Sequence, residues 1–171
     1  MNTGQMIITT CAMLLLAVLV LRVSSTQITT QESMQTSKFG ILAISIANSV
    51  VEQACNKAFD QKSINAYLSD VNSLTKDQDL GPEGGEDSIE VFNDFDDFNG
   101  YTHVYYNLPD SPPLRISCVV NYIDPDAAGN KVKIVTSKQW HKMITITITS
   151  DDSTKMDVLE FRKVFSYWKF L

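Results

Sequence analysis

An apolar run at the N-terminus constrains this chain more than any other feature. Residues 6–21 contain no charged side chain, no Gly and no Pro, and Arg22 is the first charged residue. Extended to residues 5–23, the run is about 19 residues long, close to the roughly 20 that a helix rising 1.5 Å per residue needs to cross a bilayer. Thr9 and Thr10 are tolerated there because their hydroxyls can bond back to the preceding turn. The run predicts a transmembrane helix over residues 5–23.

A cleaved secretory signal peptide is the alternative interpretation of this run. Such a peptide has Lys or Arg before its apolar core and a small-residue cleavage site after it. Here no basic residue precedes the run, and Ser24 and Ser25 are the best cleavage positions. A lipoprotein anchor is excluded because Cys11 lies near the start of the run. Since Arg22 alone flanks the span, the positive-inside rule gives no orientation.

The helical pattern continues beyond the apolar run. Residues 24–38 are polar and lack Pro. Their Ser and Thr residues are weak helix formers, so an interruption of the helix within this segment is an alternative. Apolar residues then recur every three or four positions, as on one face of a helix. They are Phe39, Leu42, Ala43, Ile46, Ala47, Val50, Ala54, Ala58 and Phe59. We predict one helix from about residue 5 to about residue 60, with an amphipathic half over residues 24–60.

The rest of the chain divides by charge. The net charge is −6, but residues 60–126 carry 14 acidic and three basic side chains, whereas residues 131–171 carry eight basic and four acidic ones. Gly and Pro punctuate residues 77–87, so we predict an acidic, loop-rich segment over residues 61–112. Overall acidity argues against nucleic-acid binding, which needs a basic footprint.

Residues 113–171 are predicted to form an antiparallel β-sheet. The clearest strand has isoleucines on one face and threonines on the other. Strands are predicted at residues 101–106, 116–122, 143–149 and 158–168, and turns at 124–130 and 151–153. The apolar face of this sheet must be buried against another element, and the apolar face of residues 39–59 can pack on it. The predicted fold class is α+β, a long N-terminal helix packed on an antiparallel sheet.

Several motifs resemble those of the type IV pilin family, including the minor pseudopilins of type II secretion. Residues 42–60 resemble the family's helix, with its Ala-Phe-Asp-like end, and residues 94–101 resemble its Asp-Asp-aromatic-Asn-Gly-Tyr segment. Residues 116–125 and 142–149 are similar to its Val-x-Tyr-x-Asp and Lys-x-(Ile/Val)-Thr-Val-Thr-Val strands. Together these similarities cover nearly the whole chain and imply a pilin-like fold.

The N-terminus departs from the family's pattern. Prepilins are cut after a Gly, and the mature chain usually has Glu at its fifth position. Here Gly4 would precede the cut, residues 1–4 would be the leader and Gln5 the new N-terminus. The fifth mature position is then Thr9, which cannot pair with a neighbour's N-terminal amine inside the membrane as the family's Glu does.

The resemblance implies a structural subunit, a minor one, of a type IV pilus or a secretion pseudopilus, and not an enzyme. Such a subunit is a single-pass inner-membrane protein with an extracytoplasmic domain. Its partners would be other pilin-like subunits, bound through the N-terminal helix, and an assembly platform. Two alternatives remain: an envelope-anchored binding domain that forms no filament, and a secreted β-rich protein.

Oxygen-bearing side chains near Gly100 are candidates for calcium binding. They are Asp94, Asp96, Asp97 and Asn99. An EF-hand is excluded, because Gly100 at loop position 6 would put Phe95 at position 1 and Tyr106 at position 12. A turn with solvated carboxylates is the simpler interpretation, and no cofactor is predicted.

The cysteines and histidines give no active-site motif. Cys55 and Cys118 are both expected to face the helix–sheet core, where an oxidising exterior would permit a disulfide worth about 4 kcal/mol. The alternative is two buried thiols that pack as small hydrophobes. His103 and His141 are the chain's two histidines, without the Cys or His spacing of a zinc site. Phosphate-binding and hydrolase motifs are absent from the sequence.

Overall fold

The computed structural model describes residues 2–109, 111–125, 132–150 and 158–168. Among them are one α-helix and five strands: α1 (Thr3–Cys55), β1 (Thr102–Tyr105), β2 (Leu114–Asp124), β3 (Lys133–Ile134), β4 (His141–Ser150) and β5 (Leu159–Ser166). Short 3₁₀ turns lie between α1 and β1, at Gln61–Ser63, Val71–Ser73, Asp77–Asp79 and Asp96–Phe98. The fold class is α+β, as predicted. The chain divides into two compact units, Met1–Ile41 and Leu42–Leu171.

The first unit is helical from Thr3 onward, and the side chains of residues 2–38 are exposed. Residues 24–38, where an interruption of the helix was the alternative, are helical throughout. Their hydroxyls bond back by one turn: Thr26 Oγ1 donates to the Arg22 carbonyl at 2.9 Å, and Thr30 Oγ1 donates to the Thr26 carbonyl at 2.8 Å. The helix itself therefore satisfies these hydroxyls, which do not interrupt it.

The helix ends at Cys55, and the predicted end near residue 60 is wrong. Ala58 is used differently: its N–H donates to the Asn93 carbonyl at 3.3 Å, and its carbonyl accepts from the Phe95 N–H at 2.9 Å. These two bonds form an isolated parallel bridge between Ala58 and Asp94. A residue whose backbone groups bond to a distant segment cannot extend the helical ladder, so the helix stops before it.

The second unit contains the antiparallel sheet, in the order β1-β2-β4-β5, with β3 paired to β2. Strands occupy all four predicted segments, which confirms those predictions. The register places Cys118 of β2 opposite Ile146 of β4, so apolar side chains of both strands share one face. The predicted turn at 151–153, and most of the one at 124–130, lie outside the described residues.

The core of the second unit lies between the last turns of α1 and this apolar face, as predicted. Its fully or almost fully buried members are Ala43, Ala47, Val50 and Ala54 of the helix, Phe92, Phe95 and Phe98 of the acidic segment, and Leu114, Ile116, Cys118, Val120, Ile144, Ile146 and Ile148 of the sheet. Alternation along β2 and β4 puts every second side chain into this core. The phenyl rings bring the acidic segment into the core with them.

Candidate functional site at the end of the helix

A buried lysine connects the chain after the helix to the acidic segment. Lys142 lies on β4 two residues before Ile144, on the same face of the strand, and its side chain is 0% exposed. Its Nζ donates to Asp60 Oδ2 at 2.9 Å, to Asp96 Oδ1 at 2.6 Å and to the Phe59 carbonyl at 2.9 Å. An ammonium has three N–H groups, so all of them are used. We call Asp60, Lys142 and Asp96 the ion-pair cluster.

Asp60 is the better satisfied of the two carboxylates. It also accepts from the Thr75 N–H and Oγ1, each at 3.0 Å, and from the Lys62 N–H at 3.0 Å. Burial raises the pKa of Asp60, but the Lys142 ammonium and these hydrogen bonds outweigh burial, so its pKa lies below its usual value. Burial raises the pKa of Asp96, which shares the same ammonium.

Aromatic rings enclose this ammonium. Lys142 Nζ lies 4.7 Å from the centroid of the Phe59 ring and 5.3 Å from that of Tyr122. The Tyr122 hydroxyl donates to the Thr75 carbonyl at 2.7 Å, so the ring is fixed in place. Burial, with the nearby charge of Asp60, raises the pKa of Tyr122. The cluster is therefore a charged group inside an aromatic shell, where an ammonium is stabilised by the ring faces.

The interpretation of the acidic segment as a turn with solvated carboxylates is wrong. Asp94, Asp96 and Asp97 are 0%, 1% and 0% exposed. The phenyl side chains that alternate with them are buried in the core, and the carboxylates are carried inside with the backbone. Each is therefore costly to keep ionised unless it finds a hydrogen-bond donor or a cation within the fold.

Two of the four calcium candidates have other roles in the structure. Asp96 pairs with Lys142. Asn99 joins two backbone segments: its Nδ2 donates to the Leu80 carbonyl at 2.9 Å, and its Oδ1 accepts from the Val120 N–H at 3.0 Å. Both polar atoms of the Asn99 amide are thus engaged by the protein, which explains an Asn at the start of the sheet without a metal.

The other two candidates, Asp94 and Asp97, face each other across a tight turn. Asp94 Oδ1 accepts from the N–H groups of Asp96 and Asp97, at 2.8 and 3.2 Å. Asp97 Oδ2 accepts from the N–H groups of Asn93 and Asp94, at 2.7 and 3.0 Å. The second oxygens, Asp94 Oδ2 and Asp97 Oδ1, are buried and have no hydrogen-bond partner among the described residues. Buried oxygens without a partner are rare in folded proteins.

Glu83, which the sequence did not suggest, joins this pair. Glu83, Asp94 and Asp97 each offer a carboxylate oxygen, and these oxygens lie within 4.8 Å of one another. We call these three residues the carboxylate triad. Partial desolvation and the neighbouring carboxylates of Glu86 and Asp97 raise the pKa of the exposed Glu83 to about 7. Burial and the charges of Asp96 and Asp97 raise the pKa of Asp94 to about 9. The fold on its own thus disfavours the charged forms of these carboxylates, because no cation among the described residues pairs with them.

Both cysteines of the predicted disulfide are free thiols in the structure. Cys118 is 1% exposed, and burial raises its pKa to about 12. Burial also raises the pKa of the half-buried Cys55. A reactive cysteine needs the opposite shift. The alternative interpretation, two thiols that pack as small hydrophobes, therefore describes the structure, and the disulfide is absent from it.

The predicted processing site lies in the first turn of α1. Gly4 and Gln5 are both helical and exposed. The helix that follows is long and apolar enough to cross a membrane, and no residue of its most apolar 18-residue window is buried in the fold.

No protein-family model, curated protein or solved structure matches this chain. Its function is therefore inferred from its own residues.

Proposed function

We propose that this chain is a pilin-like assembly subunit, held in the inner membrane by its N-terminal helix and without catalytic activity. The observation that supports this most is the exposure of the apolar run on every side of the helix. Leu14, Leu15 and Leu16 point in three directions and are 66%, 72% and 66% exposed. A helix that is apolar all round is stable when lipid or other helices surround it.

The continuity of α1 favours a retained helix over a cleaved signal peptide. The helix runs without a break to Cys55, and its last turns belong to the core of the second unit. The best signal-peptidase positions, Ser24 and Ser25, lie inside this helix. Retention therefore accounts for both the apolar run and the helical polar segment after it.

Assembly would exchange lipid contacts for contacts between subunits. In the membrane, the apolar run is solvated by lipid; in a filament, the same side chains would pack against the helices of neighbouring pilin-like subunits. The acidic middle and basic end of the second unit would favour one register by charge complementarity. In this scheme the chain is a minor subunit of a type IV pilus or secretion pseudopilus that interacts with an assembly platform.

The mature N-terminus tests whether the N-terminal helix is retained. Mass spectrometry of the protein purified from its native membranes should show a chain that starts at Gln5. A chain that starts near Ser25 would mean that the helix is removed and would contradict the proposal. An intact Met1 would favour the anchored binding domain that forms no filament.

Cross-linking tests assembly and uses a cysteine that is already in the apolar run. Cys11 is exposed on α1, so oxidation in membranes should join two chains where their helices pack together. We expect a disulfide-linked dimer in the wild type and in Cys55→Ser, and its loss in Cys11→Ser. If the wild type stays monomeric under conditions that oxidise a known helix pair, the helices do not associate.

A further inference from the structure

The carboxylate triad has no cation partner among the described residues. Lys142, the cation of the neighbouring ion-pair cluster, uses its three N–H groups on Asp60, Asp96 and a backbone carbonyl. Among the described residues, no ion pair reaches Glu83, Asp94 or Asp97. Two of these carboxylates are nevertheless fully buried.

The unpartnered oxygens are where a ligand would have to be. The backbone N–H groups of the turn fix one oxygen of Asp94 and one of Asp97, which leaves Asp94 Oδ2 and Asp97 Oδ1 buried and without a partner. The nearby Asn93 Oδ1 is also buried without a partner. A turn that positions two carboxylates by hydrogen bonds, and leaves their other oxygens free, is preorganised for a cation.

We propose that Glu83, Asp94 and Asp97 bind a divalent cation, Ca²⁺. Oxygen ligands lie about 2.3–2.6 Å from Ca²⁺, so two ligands of one ion can be up to about 5 Å apart. The triad's oxygens, within 4.8 Å of one another, therefore need no backbone movement to share one ion. Ca²⁺ fits better than Mg²⁺ because it accepts irregular ligand sets, whereas Mg²⁺ requires near-octahedral geometry at about 2.0–2.1 Å. Water would complete the coordination on the exposed Glu83 side.

This ion would tie together parts of the fold that are distant in sequence. Glu83 comes from the segment of residues 77–87 that Gly and Pro punctuate, while Asp94 forms the bridge to Ala58 just after the helix. Asp94 is also hydrogen-bonded to the backbone of Asp96, a member of the ion-pair cluster. Because the ion binds the folded arrangement alone, its binding energy adds to the stability of the second unit.

The test is calcium binding by the full-length chain in detergent micelles after treatment with EDTA. Thermal unfolding is followed by fluorescence of Trp140 and Trp168, neither of which lies in the first unit. Ca²⁺ at about 100 times its dissociation constant should raise Tm by at least about 5 °C. Titration calorimetry measures the dissociation constant directly.

Matched variants locate the site. Glu83→Gln removes a ligand from an exposed position and should weaken Ca²⁺ binding at least about tenfold. Asp87→Asn removes the same charge from an exposed neighbour outside the triad and should change it less than about twofold. Asp97→Asn keeps an oxygen for the two N–H donors and should also weaken binding; Glu83→Gln still decides the matter if that variant does not fold.

Three results would overturn the proposal. The first is a wild-type Tm that does not change with Ca²⁺. The second is equal weakening by Glu83→Gln and Asp87→Asn, which would mean diffuse charge screening. The third is equal stabilisation by Mg²⁺, which would contradict the assignment to Ca²⁺. None of these measurements depends on whether the first unit spans a membrane or assembles.

Discussion

Replacing Lys142 with Met should strongly destabilise the second unit at neutral pH. The change keeps an unbranched apolar stem but leaves Asp60 and Asp96 buried without a cation. Removing one partner of a buried ion pair typically costs about 3–5 kcal/mol. A whole domain is stable by about 5–15 kcal/mol, so this is a large fraction of the total. At about 3 °C per kcal/mol, we expect Tm to fall by about 10–15 °C.

Tryptophan fluorescence of the full-length chain measures this effect without interference from the apolar helix. The chain's two Trp and six Tyr residues all lie after residue 41. Lys163→Met is the matched control, since it removes an exposed lysine from β5 and should change stability by less than about 0.5 kcal/mol. Adding Asp60→Asn and Asp96→Asn to Lys142→Met removes the unpaired charges and should recover much of the loss.

The pH dependence of the difference between Lys142→Met and wild type separates charge from packing. In the wild type, the lowered pKa of Asp60 gives stability that is present above its ordinary pKa and is lost in acid. Without the ammonium, burial raises this pKa, so the penalty is present at neutral pH and is relieved as the carboxylate is protonated. The Tm difference should shrink between pH 7 and pH 4.5. A difference below 3 °C at pH 7, or one that is independent of pH, would refute the reasoning.

The same fluorescence assay checks three other features. Asn99→Ala deprives the Leu80 carbonyl and the Val120 N–H of their partner and should lower the free energy of unfolding by about 2 kcal/mol; a loss under 0.5 kcal/mol would mean that water replaces the amide. In EDTA, stability should fall as pH rises from 5 to 9, because the pKa of Asp94 is raised to about 9 in the folded state, and Asp94→Asn should flatten this decline. Cys118, with a pKa raised to about 12, should react with a thiol reagent at pH 8 no faster than the domain unfolds, and rapid labelling in native conditions would contradict its burial.

Periodicity was sufficient to predict α1 and four of the five described strands, whereas the two-residue strand β3 was not predicted. The alternation of Ile and Thr identified β4, and the three-and-four spacing from Phe39 identified the buried face of the helix. Both signals are local, because side chains at fixed intervals share a face whatever the rest of the chain does. The helix end was missed because its cause is distant: the backbone of Ala58 pairs with residues near Asp94.

Only one part of the ion-pair cluster, the inward position of Lys142, can be predicted from the sequence. Lys142 has the same parity as Ile144 along the strand, so alternation alone predicts that it points into the core, where a lysine needs a carboxylate. The alternation does not identify which carboxylate pairs with Lys142. Asp60 and Asp96 lie far away in sequence and are brought together by loops without periodic pattern. The position of Glu83 beside Asp94 and Asp97 could not be predicted for the same reason, since a loop without periodic pattern brings it there.

The buried carboxylates of residues 60–126 lie in two different environments. Asp60 and Asp96 face a lysine whose donors they use, and such a polar network in an otherwise apolar core favours one arrangement of the segments around it. Asp94 and Asp97 are as deeply buried but have unpartnered oxygens. Evenly solvated carboxylates would need neither a lysine nor an ion. Because the phenyl rings carry the backbone inward, neutralisation becomes a requirement of the fold, met by Lys142 for one pair and, as proposed, by Ca²⁺ for the other.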